Sequence, residues 1–182
     1  MNRLTGLCVA SMAMILASTT LPAIAHAQCT ATGSGDSCNL PGSASMTAGR
    51  VVRLQMSAGS TALTAPTTTD FDAGFNTTTG PTLTVSANAP WTLHLRSAAT
   101  FWTATNTSPS APARTSKPAG DLLWSTADGG TFNALTTGDV TLVGGVATAS
   151  TATSLFFQTL YDWALDTPGN YSLSVVLTLT SP

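Results

Sequence analysis

Two runs near the C-terminus constrain this chain more than any other feature. Leu155, Phe157, Thr159, Tyr161, Trp163 and Leu165 share one phase of a two-residue period. Tyr171, Leu173, Val175, Leu177 and Leu179 repeat it, with Ser172, Ser174, Val176, Thr178 and Thr180 opposite. Successive side chains of a strand point to opposite faces, so this period belongs to half-buried strands and not to helices. Asp166-Thr167-Pro168-Gly169-Asn170 between the runs collects turn-forming residues. The pair reads as a C-terminal β-hairpin carrying much of the core.

The rest of the chain repeats the theme in shorter pieces. Val52, Leu54 and Met56 alternate with Arg53 and Gln55. Gly80-Pro81 is a turn signal. Leu83, Val85 and Ala87 then line one face of a strand. Asn88-Ala89-Pro90 turns the chain into Trp91-Thr92-Leu93-His94-Leu95-Arg96, and these two strands read as a second hairpin. Residues 105–120, with Pro109, Pro112 and Pro118 among Ser, Thr and Ala, form a long surface loop. Leu122-Leu123-Trp124 resumes a strand, and Asp128-Gly129-Gly130 is a hairpin-type turn. Phe132 with Leu135, then Val140, Leu142 and Val143, give two more strands, which Gly144-Gly145 ends. The count is about seven to nine short strands, a sandwich pattern, and no amphipathic helix is expected.

Composition agrees. Only 8% of residues are charged, against 43% hydrophobic, and all eight acids are Asp. Helix surfaces draw on Glu, Lys, Arg and Gln; here Thr and Ser supply the polar surface, and Thr favours strands. Beyond Arg3 the basic residues are Arg50, Arg53, Arg96, Arg114 and Lys117, too few and too scattered for the basic patch a nucleic-acid binder needs.

The N-terminus reads as an address. Arg3, the apolar run Leu7–Ala17, and small residues at Ala25 and Ala27 have the order of a secretory signal peptide, cleaved after Ala27. The run is too short and too interrupted by Ser and Thr for a membrane span of about 20 residues. Gln28 before Cys29 is not the small residue that lipid attachment wants. Cys29 and Cys38 then form an even pair in an oxidising compartment, which reads as a disulfide closing a short polar loop. The expected organisation is a signal over residues 1–27, a disulfide-closed polar segment over 28–49, and a β-sandwich over 50–182. The mature form would have no transmembrane span, and the destination is secreted or cell-surface, of bacterial type.

Chemistry is sparse. His94 lies between Leu93 and Leu95 and so points with Thr92 and Arg96 onto a solvated strand face; nothing nearby nominates a nucleophile or carboxylate partner. No G-x-S-x-G elbow occurs. A glycosidase would need two facing carboxylates, but the Asp residues sit in or beside turns, where they bond their own backbone. No enzymatic activity is expected. Asp70-Phe71-Asp72-Ala73-Gly74 opens like a calcium loop, and Asn76 offers a further oxygen. The third Asp and the distal Glu are missing, so a structural turn is the favoured reading, and no cofactor is expected apart from this calcium option.

The four tryptophans carry the remaining signal. Trp102 and Trp124 flank the Pro-rich loop, where exposed indoles could stack on sugar rings; Trp91 and Trp163 are favoured as core. All four are candidate ligand or assembly contacts. Trp91-Thr92-Leu93 and Trp163-Ala164-Leu165 are two W-x-L tripeptides, the second in a run beginning Thr159-Leu160-Tyr161. Over residues 82–168 this resembles the WxL family of bacterial surface domains. The resemblance implies a secreted, β-rich, non-catalytic domain with peptidoglycan as partner. The family pattern ends soon after its second tripeptide, whereas here a whole strand, Tyr171 to Thr180, follows. More broadly the chain is similar to immunoglobulin-like modules and pilin-type subunits. The expectation is an all-β, immunoglobulin-like sandwich serving as a structural or adhesive surface subunit. Its partners would be copies of itself or other surface proteins, in a pilus, filament or surface layer, with Val51 to Met56 the first stretch expected to pair between copies. The alternative is a wall- or polysaccharide-binding module.

Overall fold

An alternating stretch becomes a strand where one face can be buried, and ten stretches do so in the computed structural model, which describes residues 43–107, 109 and 111–182. They are β1 (Val52–Met56), β2 (Phe75–Ala87), β3 (Trp91–Ser97), β4 (Thr103–Asn106), β5 (Leu122–Ser125), β6 (Asn133–Ala134), β7 (Val140–Gly145), β8 (Thr148–Leu160), β9 (Gly169–Ser172) and β10 (Val175–Thr180). One short helix, α1 (Thr68–Ala73), and a 3-10 turn (Ala119–Asp121) complete the fold. The excess comes from β4, which was not expected, and from β9, which splits off the start of the expected Tyr171–Thr180 strand. The signal segment 1–27, the Cys29–Cys38 pair and most of the polar segment 28–49 lie outside the described residues.

All pairings are antiparallel, and the protein is the expected all-β, sandwich-like fold. One sheet has the order β1-β2-β8-β5-β6, a second β10-β3-β7, and β4 pairs with β9 alone. Leu83 and Val85 of β2, Leu155 and Phe157 of β8, and Leu122 and Trp124 of β5 join Trp91, Leu93 and Leu95 of β3 in one buried cluster. Val175, Leu177 and Leu179 of β10 pack against it, half-buried. Among the described residues no helix is long and apolar enough to cross a membrane.

Neither expected hairpin forms. β2 pairs with β1 and β8, while β3 pairs with β10 and β7. Both faces are strongly apolar, and they bury more area by meeting across the core than by lying side by side in one sheet. Asn88 helps the crossing: its Oδ1 accepts from the Val51 N–H at 2.8 Å and its Nδ2 donates to the Gly49 carbonyl at 2.8 Å. The C-terminal runs separate likewise, β8 into the five-stranded sheet and β10 into the three-stranded one.

Gly80-Pro81 and Gly144-Gly145, expected to turn or break the chain, lie within strands. A Cβ on Gly80 would meet the Phe157 ring at 2.7 Å, and one on Gly145 would meet the Trp91 indole at 3.1 Å. Both glycines are present because an aromatic ring from the neighbouring strand lies over the backbone there. β2 therefore runs through Gly80-Pro81 with a register shift between Thr79 and Thr82, and β7 extends to Gly145.

The helix was not expected either. Thr67 and Asp70 form a capping box, each side chain bonded to the other's backbone N–H. Gly74 ends the helix in the left-handed region, at φ 79°, where a side chain would be strained. Six residues with a single large apolar side chain, Phe71, carry too little periodicity to signal a helix.

Candidate functional site

Three of the four tryptophans are core. Trp91 donates its indole N–H to the Val146 carbonyl at 2.9 Å, and Trp102 donates to Pro118 at 3.0 Å. Both are buried, as is Trp124, whose indole N–H has no hydrogen-bond partner. All three pack in the interior, as favoured for Trp91, and Trp102 also forms part of the wall of two clefts. Trp163 goes the other way: expected in the core, it is 60% exposed. β8 ends at Leu160, and the Asp162 carboxylate then accepts from the N–H groups of Ala164 (2.7 Å) and Leu165 (3.1 Å). The chain curls into a turn, so the two-residue period no longer decides which side chains are buried.

Trp163 is exposed but fixed. Its Nε1–H donates to Asp72 Oδ1 at 3.1 Å. Its ring stacks on Phe71 with centroids 4.6 Å apart and planes 30° apart, and Phe71 meets Tyr161 at 5.4 Å. The end of α1 is tied to the end of β8 by the Tyr161 N–H donating to the Gly74 carbonyl at 2.9 Å. Phe71 and Tyr161 line a cleft of about 430 Å³ whose other walls include Thr64, Trp102, Thr167 and Asn170. Burial, more than any charge nearby, raises the Tyr161 phenol above its ordinary pKa.

Beneath this cleft lies an ionic cluster that spans distant parts of the sequence. The Lys117 side chain is 3% exposed, and its ammonium donates to Asp166 Oδ2 (2.9 Å), Asp121 Oδ2 (3.3 Å) and the Leu160 carbonyl (2.8 Å). Arg114 reaches the same two carboxylates, Asp166 at 3.0 Å and Asp121 at 3.4 Å. An ammonium has three protons, and all three here have acceptors. Two cations face two carboxylates, so the cluster is neutral overall. Burial opposes ionisation of Asp166, but hydrogen bonds from Lys117 and Arg114, the Lys117 charge and the Asp162 N–H outweigh it. The carboxyl is held below its ordinary pKa by the ion pairs it shares with Lys117 and Arg114. The Tyr171 hydroxyl extends the cluster, donating to Thr167 O (2.6 Å) and accepting from the Arg114 N–H (2.9 Å).

The calcium reading meets a different arrangement. Asp70 Oδ2 accepts from the Thr67 N–H and hydroxyl, each at 2.7 Å. Those bonds, with a further one from Asn76, lower the Asp70 pKa. Asp72 holds the Trp163 indole. The two carboxylates are thus engaged as a helix cap and an indole anchor, and among the described residues no cluster of three or more His, Cys, Asp or Glu occurs. His94 shares the outer face of β3 with Thr92 and Arg96 as expected, but it is half-buried between Thr141 and Thr178, and its Nδ1 is occluded without a partner. Arg96 pairs with Asp139 at 3.4 Å on that face.

Among the described residues three longer strands keep a free edge: β1 in the large sheet, and β10 and β7 at the two sides of the three-stranded sheet. β10 carries no charge, and all but its last residue are half-buried. Beside it a groove of about 570 Å³ is lined by Met56, Leu155, Phe157, Leu173, Val175 and Leu177, with the non-strand segment 58–63 along its border. β1 exposes Met56, and Val51 just before it is exposed too. Arg53 is the only charge on β1.

No protein-family model matches the chain, and no curated protein matches it significantly.

Proposed function

We propose that the chain is a non-catalytic structural or adhesive subunit of the cell surface that assembles with copies of itself through open sheet edges. The observation that carries this reading is β10. A strand edge offers a row of unpaired N–H and C=O groups, and monomeric proteins protect such edges with charges, proline or a covering element. Val175–Thr180 carries no charge and no proline, among the described residues no strand pairs with its outer edge, and it borders an apolar groove. A strand from a second copy laid along β10 would extend the three-stranded sheet and cover Val175 and Leu177 together. The export signal read at the N-terminus supports assembly outside the cytoplasm, and the carboxylates under the cleft are engaged in ion pairs.

Negative-stain electron microscopy of the exported, purified chain tests this. Filaments or ordered arrays are the expected result, abolished by Thr178→Lys, which puts a charge on the outward face of β10 without touching the core. Discrete monomers at high concentration would overturn self-assembly.

A further inference from the structure

We propose that the Phe71–Tyr161–Trp163 shelf and the cleft beside it bind neutral pyranose rings of a polysaccharide. This goes beyond self-assembly, rests on different residues, and stands or falls independently of it.

The first argument is the presentation of Trp163. Large aromatic side chains gain most from burial, and the other three indoles in the chain are buried. Trp163 stays in water, yet it is held from three directions: by Asp72 at the indole nitrogen, by Phe71 beneath the ring, and by Asp162 through the backbone that follows. An aromatic fixed in advance loses little side-chain entropy when a ligand arrives. With its N–H engaged and one face covered, the ring has one group left to offer, an apolar face. The C–H face of a pyranose is complementary to it.

The second argument is the electrical character of the cleft. Lys117 and Arg114 are balanced by Asp121 and Asp166, and the ammonium has no proton left for a ligand. An anionic ligand finds no uncompensated cation there, and Asp70, whose charge acts on Tyr161, has its carboxyl held below the ordinary pKa by bonds from Thr67. This disfavours polyanions, nucleotides among them, although a nucleobase would also stack on an indole. Thr64, Thr167 and Asn170 line the same cleft with hydroxyl and amide groups suited to sugar hydroxyls. The volume, about 430 Å³, lies within the range of roughly 300–1,000 Å³ typical of small-molecule sites.

Titration calorimetry and tryptophan fluorescence with cellohexaose and chitohexaose, on the exported chain, test the site. Saturable binding with a Kd on the order of 1 mM or tighter is expected for at least one of them. Trp163→Ala should weaken it at least about tenfold, while Trp163→Phe, which keeps an aromatic face, should retain most of it. A thermal melt of each variant checks that the fold survives. No saturable binding of either probe would overturn the proposal. So would binding that is indifferent to Trp163→Ala, or tighter binding of polygalacturonate than of both neutral probes.

Discussion

The tripeptides Trp91-Thr92-Leu93 and Trp163-Ala164-Leu165 have the same pattern and opposite fates. The first opens β3; its Trp and Leu enter the core and Thr92 faces out. The second sits in a turn, with both Trp163 and Leu165 exposed. The difference lies in the neighbours. Trp91 lies over Gly145, where the absence of a side chain makes room for the indole. Trp163 follows Asp162, whose carboxylate captures the next two N–H groups and curls the chain away from the sheet. A local pattern acquires meaning only from what the fold places opposite it.

Several substitutions sharpen this contrast, in descending order of expected effect. Trp91→Ala should destabilise the protein by about 3–5 kcal/mol in urea unfolding, since it empties a core site and removes the indole's hydrogen bond to the Val146 carbonyl. Lys117→Ala should cost about 3 kcal/mol, because it leaves the part-buried carboxylates of Asp166 and Asp121 with only Arg114 between them. A neutral effect of Lys117→Ala would show that the exposed turn does not need its ionic floor. Acid should act on the turn as well. The folded pKa of Asp166 lies below its unfolded value of about 3.9. Its stabilisation is therefore fully present above about pH 5 and is lost as pH falls through the folded pKa. Asp166→Asn should lower stability at neutral pH and flatten that acid limb in denaturation followed from pH 6 to pH 2. Trp163→Ala should cost less than about 1 kcal/mol, as expected for a surface substitution that removes one stacking contact and one solvent-exposed hydrogen bond. A loss as large as that of Trp91→Ala would erase the distinction between the two tripeptides.

Strand positions were legible in the sequence because alternation is local. Val52 to Met56, Leu83 to Ala87, Trp91 to Arg96 and Val175 to Leu179 all became strands. Partnership was not legible. The turn at Asn88-Ala89-Pro90 looks like a hairpin turn whether the chain stays in one sheet or crosses to the other, and only the burial of both apolar faces decides. Gly80 and Gly145 read as breaks because the rings that occupy their space, Phe157 and Trp91, lie far away in sequence. The ionic cluster had one local trace, Lys117 and Asp121 four residues apart, but Asp166 joins from 49 residues away. The segment opening at Asp70 reads as a structural turn with a calcium loop as the option, and the capping box it forms with Thr67 goes unseen, since an Asp in a polar stretch suits any of these roles.

The three-stranded sheet β10-β3-β7 is open along two different strands. If β10 of one copy met β10 of the next, the contact would be two-fold symmetric and growth would stop at a pair. If β10 met β7, each addition would regenerate the same pair of unlike ends, and the assembly would have polarity. Such a chain grows differently at its two tips. A subunit carrying Thr178→Lys could then still join through β7 while refusing the next arrival at β10. A small fraction of it mixed with normal subunits would shorten every filament, far out of proportion to its share.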